Sequence, residues 1–361
     1  MDMRTLCAMV AVVVFVGAAS ADTVINPGHD AIPVETFNEE TDRSHIRRKV
    51  TIQSRIDTGR WRTTRAIYPL SGQDVSLRVK KVKDGEIRWY MIFADLTRNY
   101  NNANPPWEPR AYEWIGFDKI LYHRIELVRF RGSFEIHPFS GEKGIFHDVR
   151  AWFRENGNDG HELDFYNDDA GTFWFQAEVK RGGKITRSWG IEDSTDRGLS
   201  PRVLRVSVRG EEGYLGYLTS FYNVPGLFGS VLYQSKNHLG ADCADVLMAA
   251  WSKWKKRPLG KNFNVSMLVD KFRKLAQFEM KDGNPDVEVK WKDLVRPGDF
   301  IAVRYGDVGK KFHHIGALYE DADSNGLLDA EDLVIHAGPD PLHLSRLKHN
   351  PFDGHVVILR P

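Results

Sequence analysis

Cysteine is scarce in this chain. Its 361 residues hold two, Cys7 and Cys243. Cys7 lies in what reads as a secretory signal over residues 1–21. Arg4 supplies a short positive start, Leu6 to Val16 an apolar run, and Ala19-Ser20-Ala21 a small-residue cleavage site. An uncleaved anchor is the alternative reading of that run. Cleavage after Ala21 leaves Cys243 alone in a secreted or periplasmic protein, which excludes an intramolecular disulfide. A free reactive thiol, an intermolecular bridge or an inert buried residue remain. Net charge is also missing: 50 Lys and Arg face 49 Asp and Glu, a formal +1. That balance, with no basic stripe, argues against a nucleic-acid partner. No second apolar run is long enough for a membrane helix, so no membrane association is expected after cleavage. There is no fixed-period repeat and no low-complexity tract.

Aromatic residues are plentiful, with 10 Trp, 12 Tyr and 20 Phe. They suit strands, sandwich cores and sugar-stacking surfaces. After a polar, Pro-containing leader at 22–45, short alternating runs between turn signals predict an all-β sandwich module over 46–140. Val75–Val79 and Ile87–Phe93 alternate with period two, and Lys83-Asp84-Gly85 between them is a hairpin signal. Ile120–Phe130 reads as a further strand. A second β-rich module, or a continuation of the first, covers 141–220, with strands expected at 172–179, 185–191 and 203–208. Neither stretch shows a nucleophile–base pair or metal spacing, and both read as binding or spacer modules.

The character changes over 221–361. Asp242 is a good N-cap, and Val246, Leu247, Ala250, Trp251 and Trp254 recur with helical period behind Cys243. A thiol in the first turn feels unpaired N–H groups and the positive helix end, both of which favour thiolate. A second amphipathic helix is expected to place Met267, Leu268, Phe272, Leu275 and Ala276 on one face. Strands follow at 300–303, 314–319, 333–337 and 354–359. Helices followed by antiparallel strands predict an α+β domain, and the chain as a whole is predicted to be multidomain. Adjacent strands can set His314 and His336 on one face, with His313 turned to the other. A papain-like arrangement brings a strand histidine to the thiol of such a helix.

Asp242-Cys243 opening a helix, Leu294-x-x-Pro297-Gly298-Asp299-Phe300, His314-Ile315-Gly316 and Ile335-His336-Ala337 follow one another in order. Together they resemble the NlpC-type family of papain-like cell-wall cysteine peptidases. The resemblance is confined to the C-terminal domain. It implies Cys243 as nucleophile, His314 as general base, His336 as the residue orienting it, and Tyr233 near the oxyanion. Ala244-Asp245 stands where the family has Ser-Gly, and the family's glycine pair after the tyrosine is absent. These departures bear on the substrate cleft.

Between the two histidine strands, residues 321–332 fit the calcium-loop pattern. Asp321, Asp323, Asn325, Asp329 and Asp332 supply side-chain oxygens at positions 1, 3, 5, 9 and 12. Leu327 supplies its carbonyl at position 7, and Gly326 the turn at position 6. Asp replaces Glu at position 12, and the flanks read as strands, so a single structural Ca2+ is expected and no EF-hand pair. No organic cofactor is indicated. The chain thus reads as a secreted cysteine peptidase or amidase cutting peptidoglycan stem-peptide amides, its partner being peptidoglycan or another wall polymer. A non-catalytic wall-binding protein with a degenerate hydrolase domain, or a related thiol acyltransferase, are the alternatives.

Overall fold

The structure, a computed structural model, describes residues 34–36 and 50–361 apart from 81, 83, 142, 159, 307–310, 350 and 351. The expected signal at 1–21 lies outside the described residues, as does the 22–45 leader apart from Val34–Thr36. The chain is rich in β-structure arranged in several sheets, with few helices. No helix among the described residues is long and apolar enough to cross a membrane.

The first sheet runs in the order Val34–Thr36, Tyr122–Glu126, Glu86–Ala94, Gly171–Arg181, Leu204–Val208, Ala66–Ile67, with Lys184–Arg187 beside Gly171–Arg181. A three-stranded sheet, Ile52–Ile56, Val75–Val79 and Glu135–Ile136, shares its core. Val75 and Leu77 from the smaller sheet join Trp89, Met91, Phe173 and Phe175 from the larger in one cluster. Gly171–Arg181 pairs with Glu86–Ala94 on one side and Leu204–Val208 on the other, so strands from 46–140 and 141–220 form one sheet. Helices interrupt the expected β pattern. His147–Glu155 adds Val149 and Phe153 to the same core, and Gly213–Thr219 packs elsewhere, on the cysteine helix.

The C-terminal sheet is antiparallel throughout. Its order is Asn284–Pro285, Arg273–Lys281, Gly354–Arg360, Phe300–Arg304, His314–Glu320, Leu333–His336, His343–Arg346. Period-two alternation gives it two buried faces. Ala302, Ile315, Ala317 and Ile335 lie under the Cys243–Lys255 helix. Ile301, Val303, Leu318 and Val334 face the other way, onto Phe352 and Trp291. The expected second helix stops early. It spans Val265–Lys271, and Leu275 and Ala276 fall in the strand Arg273–Lys281. Seven residue pairs with Gly354–Arg360 outweigh the weak local helical period there. Asp299 of the Pro-Gly-Asp motif is buried and takes both Nε and Nη2 of Arg360, at 3.0 and 2.8 Å. A second bond from Arg360 Nη2 reaches Leu294 O at 3.1 Å, so this motif locks the final strand into the sheet.

Candidate functional site

The cysteine helix is packed nearly all round, because Gly213–Thr219 covers one side and the sheet another. Asp242 caps it, accepting the N–H groups of Ala244 and Asp245 at 3.1 and 2.9 Å. The cap leaves out the N–H of Cys243 itself. Ser230 links the cap inward, accepting from Asp242 N and donating to Asp245 Oδ2 at 2.8 Å. Burial raises both carboxyls, Asp245 to about 6, and repulsion from Asp245 adds to the rise at Asp242.

Cys243 is half-buried, and its sulfur lies within reach of the backbone N–H of Ile315, the residue after His314. The thiol therefore lies where the His314 and His336 strands part. No hydrogen bond joins it to the His314 ring among the described residues. Burial pushes the thiol up, the neighbouring Asp242 adds to this, and the Ile315 and Ala244 N–H groups only partly oppose it. The thiolate expected from the helix start is thus outweighed by desolvation of a site filled on most sides with protein.

The two histidines are joined. His314 Nε2 and His336 Nδ1 lie 3.0 Å apart, and His336 Nε2 lies 2.9 Å from Ser345 Oγ. Register explains the first contact. His336 pairs with Gly316, so it is the diagonal neighbour of His314 on one sheet face. Gly316 makes room: a Cβ there would lie 3.0 Å from His336 Cβ and 2.9 Å from a Val334 methyl. Phe352 seals that face, with its ring 5.1 Å from that of His314. Burial lowers His314 to about 4, helped by His343, and drives His336 well below the usual imidazole range. His313 stands apart from the pair, its ring stacked on Tyr305 at 5.6 Å.

Ser345 and His343 have no helical or motif signal in the sequence. They enter because His343–Arg346 pairs with Leu333–His336, which sets the His343 ring 4.4 Å from that of His336. His343 Nδ1–H donates to Pro341 O at 2.8 Å. The tyrosine expected near the oxyanion lies close to Arg197. Tyr233 lies exposed on the short helix Leu232–Lys236, with the Arg197 guanidinium 5.8 Å from its ring. Tyr112 and Tyr305 come within electrostatic reach of the sulfur.

In the 321–332 loop, Asp321, Asp323 and Asp332 can each bring an oxygen within 4.8 Å of the others. Asp321 Oδ2 accepts Gly326 N–H at 3.0 Å, while its buried Oδ1 has no hydrogen-bond partner among the described residues. Asp332 is buried and held by Trp291 Nε1 at 2.8 Å and by the N–H groups of Asp329 and Ala322. Asn325 donates to Asp323 and to Asp329, at 2.9 and 2.6 Å, and Asp329 is not in the converging set. Leu327 is partly exposed, and its segment bridges to Lys290. Three carboxylates with one unbonded oxygen suit a hard cation.

The chain matches no family model, no curated protein and no solved structure.

Proposed function

We propose that the chain is a thiol hydrolase of the papain-like kind, cutting amide bonds of peptidoglycan stem peptides. The observation that carries this reading is the His314–His336–Ser345 chain set one residue from the Ile315 N–H that comes within reach of the Cys243 sulfur. With Nε2 committed to His336, Nδ1 of His314 is the nitrogen left for the thiol. In that arrangement His314 Nε2–H donates to His336 Nδ1, and His336 Nε2–H donates to Ser345 Oγ. His336 and Ser345 so fix the tautomer and plane of the base.

Catalysis starts from a neutral thiol and a neutral imidazole. The sulfur leaves the Ile315 N–H and gives its proton to His314 Nδ1 as it attacks the scissile carbonyl. The oxyanion is held by the N–H of Cys243, at the positive end of the helix. His314 then protonates the leaving amine, and water hydrolyses the acyl-enzyme with His314 again as base. Ca2+ held by Asp321, Asp323 and Asp332 would stiffen the loop joining the two histidine strands.

A second reading is a binding protein with an inactive hydrolase domain. The absent thiol–imidazole hydrogen bond and the raised thiol favour it. Product analysis by mass spectrometry on purified muropeptides separates the two. The hydrolase reading expects cleavage that Cys243→Ala and His314→Ala abolish, His336→Ala reduces, and Ser345→Ala lowers about fivefold in kcat, the worth of one hydrogen bond near 1 kcal/mol. Muropeptides left intact by the wild-type chain would establish the second reading.

A further inference from the structure

The loop at 104–117 is crowded with exposed rings. Among the described residues, four of the ten exposed large hydrophobic side chains are Trp107, Tyr112, Trp114 and Ile115. Large apolar groups concentrated in one exposed loop mark an interaction site. The loop is also firmly built. Asn104 pairs its backbone with Glu113 and Tyr112, and its amide reaches Pro109 O and Arg110 O at 3.2 and 3.3 Å. Arg110 and Tyr112 are held in the left-handed region, with φ of 57° and 68°. Such strain in non-glycine residues persists only where the surroundings impose it, and it gathers at binding sites.

These rings form part of a longer strip. Trp114 is braced edge-on by Phe117 at 5.2 Å, and the Arg197 guanidinium lies 5.0 Å from Phe117 and 5.8 Å from Tyr233. The two halves are tied beneath the surface, where buried Asn102 donates to Gln234 Oε1 at 2.8 Å. Gln234 adjoins Tyr233 on the same short helix. At the other end the Tyr112 ring meets Phe228 at 6.0 Å, and its hydroxyl comes within electrostatic reach of Cys243.

We propose that Trp114, Phe117, Arg197 and Tyr233 form a saccharide-binding strip that seats a glycan strand, with Tyr112 at the end where an attached peptide reaches Cys243. The strip stands on its own geometry, while the link to the thiol rests on the hydrolase reading above. Isolated ring faces interleaved with Arg110, Glu113 and Arg197 match a sugar, which offers C–H faces to rings and hydroxyls to charged groups. A lipid surface asks for a continuous apolar face, and this one is broken by charges. The inference also gives Tyr233 a place: it binds the strand carrying the substrate and does not hold the oxyanion.

The test is isothermal titration calorimetry of the full chain with peptide-free peptidoglycan glycan strands, run beside cleavage of free stem peptides. The wild-type chain should bind the glycan. Trp114→Ala and Tyr233→Ala should each weaken binding at least tenfold, Trp114→Phe should retain most of it, and Ile185→Ala, on a distant exposed hairpin, should leave it unchanged. The three side chains replaced are exposed enough for the variants to fold. No glycan binding by the wild-type chain, or equal binding by Trp114→Ala, would overturn the strip. Binding to phosphatidylglycerol–phosphatidylethanolamine vesicles in place of glycan would overturn it too. Stem-peptide cleavage without glycan binding removes the strip and leaves the hydrolase. Trp114-dependent glycan binding without cleavage supports the strip and removes the hydrolase.

Discussion

A histidine pair buried under Phe352 titrates differently from one in water. His314 is lowered to about 4 because burial penalises the imidazolium, with His343 adding to the effect. A base must be neutral to accept the thiol proton, so activity is present above this value and lost as pH falls through it. The kcat/KM profile should stay flat from neutrality to about pH 5 and fall with a midpoint near 4. A midpoint near the ordinary imidazole value would show that the ring is solvated. The raised thiol has a matching signature. Iodoacetamide should alkylate Cys243 faster as pH rises through the alkaline range, with no acid plateau of the kind a thiolate–imidazolium pair gives. Here the helix start favours a thiolate at Cys243, and burial works against it. The helix start is local and visible in Asp242-Cys243, whereas desolvation comes from the sheet and from Gly213–Thr219, which only the fold brings together. Ser345 was illegible for the same reason, since nothing near it in the chain marks it as a partner of His336.

At the scale of the element, the strands His314–Glu320 and Leu333–His336 owe their side-by-side histidines to a missing side chain. Gly316→Ala would set a methyl 3.0 Å from both His336 Cβ and Ile335 O. Overpacking of this kind costs about 1–3 kcal/mol. The melting temperature should drop, and kcat should fall more than KM rises, because His336 is pushed off His314. An unchanged kcat in a folded variant would deny His336 its positioning role. The loop between the same strands gathers Asp321, Asp323 and Asp332, whose mutual repulsion a cation relieves. Adding Ca2+ after chelation should raise the melting temperature, with stabilisation of about 2.7 kcal/mol at a hundred times the dissociation constant. Asp321→Ala and Asp323→Ala should abolish that response. A melting temperature indifferent to chelator and to Ca2+ would leave only an acidic turn. The strands Phe300–Arg304, His314–Glu320, Leu333–His336 and Gly354–Arg360 were legible from alternation, and His343–Arg346 was not. The end of the second helix was also illegible, because Phe272, Leu275 and Ala276 fit a helical face and the pairing with Gly354–Arg360 places Leu275 and Ala276 in a strand.

Across the whole molecule, the change of composition near residue 221 does not coincide with a break in packing. Tyr214 and Leu218 belong to the core under the cysteine helix, and so does Ala170. His238 stacks on Phe221 at 3.8 Å and bonds Thr172 of the first sheet at 2.8 Å. Leu227–Phe228 pairs with Tyr100–Asn101. Each buried side chain of this size contributes about 1.5–3 kcal/mol, so a fragment of residues 221–361 should lack a cooperative transition. Calorimetry of the full chain should show one. Two peaks, with a folded, active fragment, would restore independent modules. The C-terminal sheet carries a last consequence. Gly354–Arg360 lies between Arg273–Lys281 and Phe300–Arg304, so the partners flanking it are synthesised well before it. A nascent chain halted ahead of residue 354 holds two half-sheets with open edges, and Asp299 without Arg360. Long-range closure of this kind is slow. The sheet that sets His314 beside His336 is therefore closed only by the strand Gly354–Arg360.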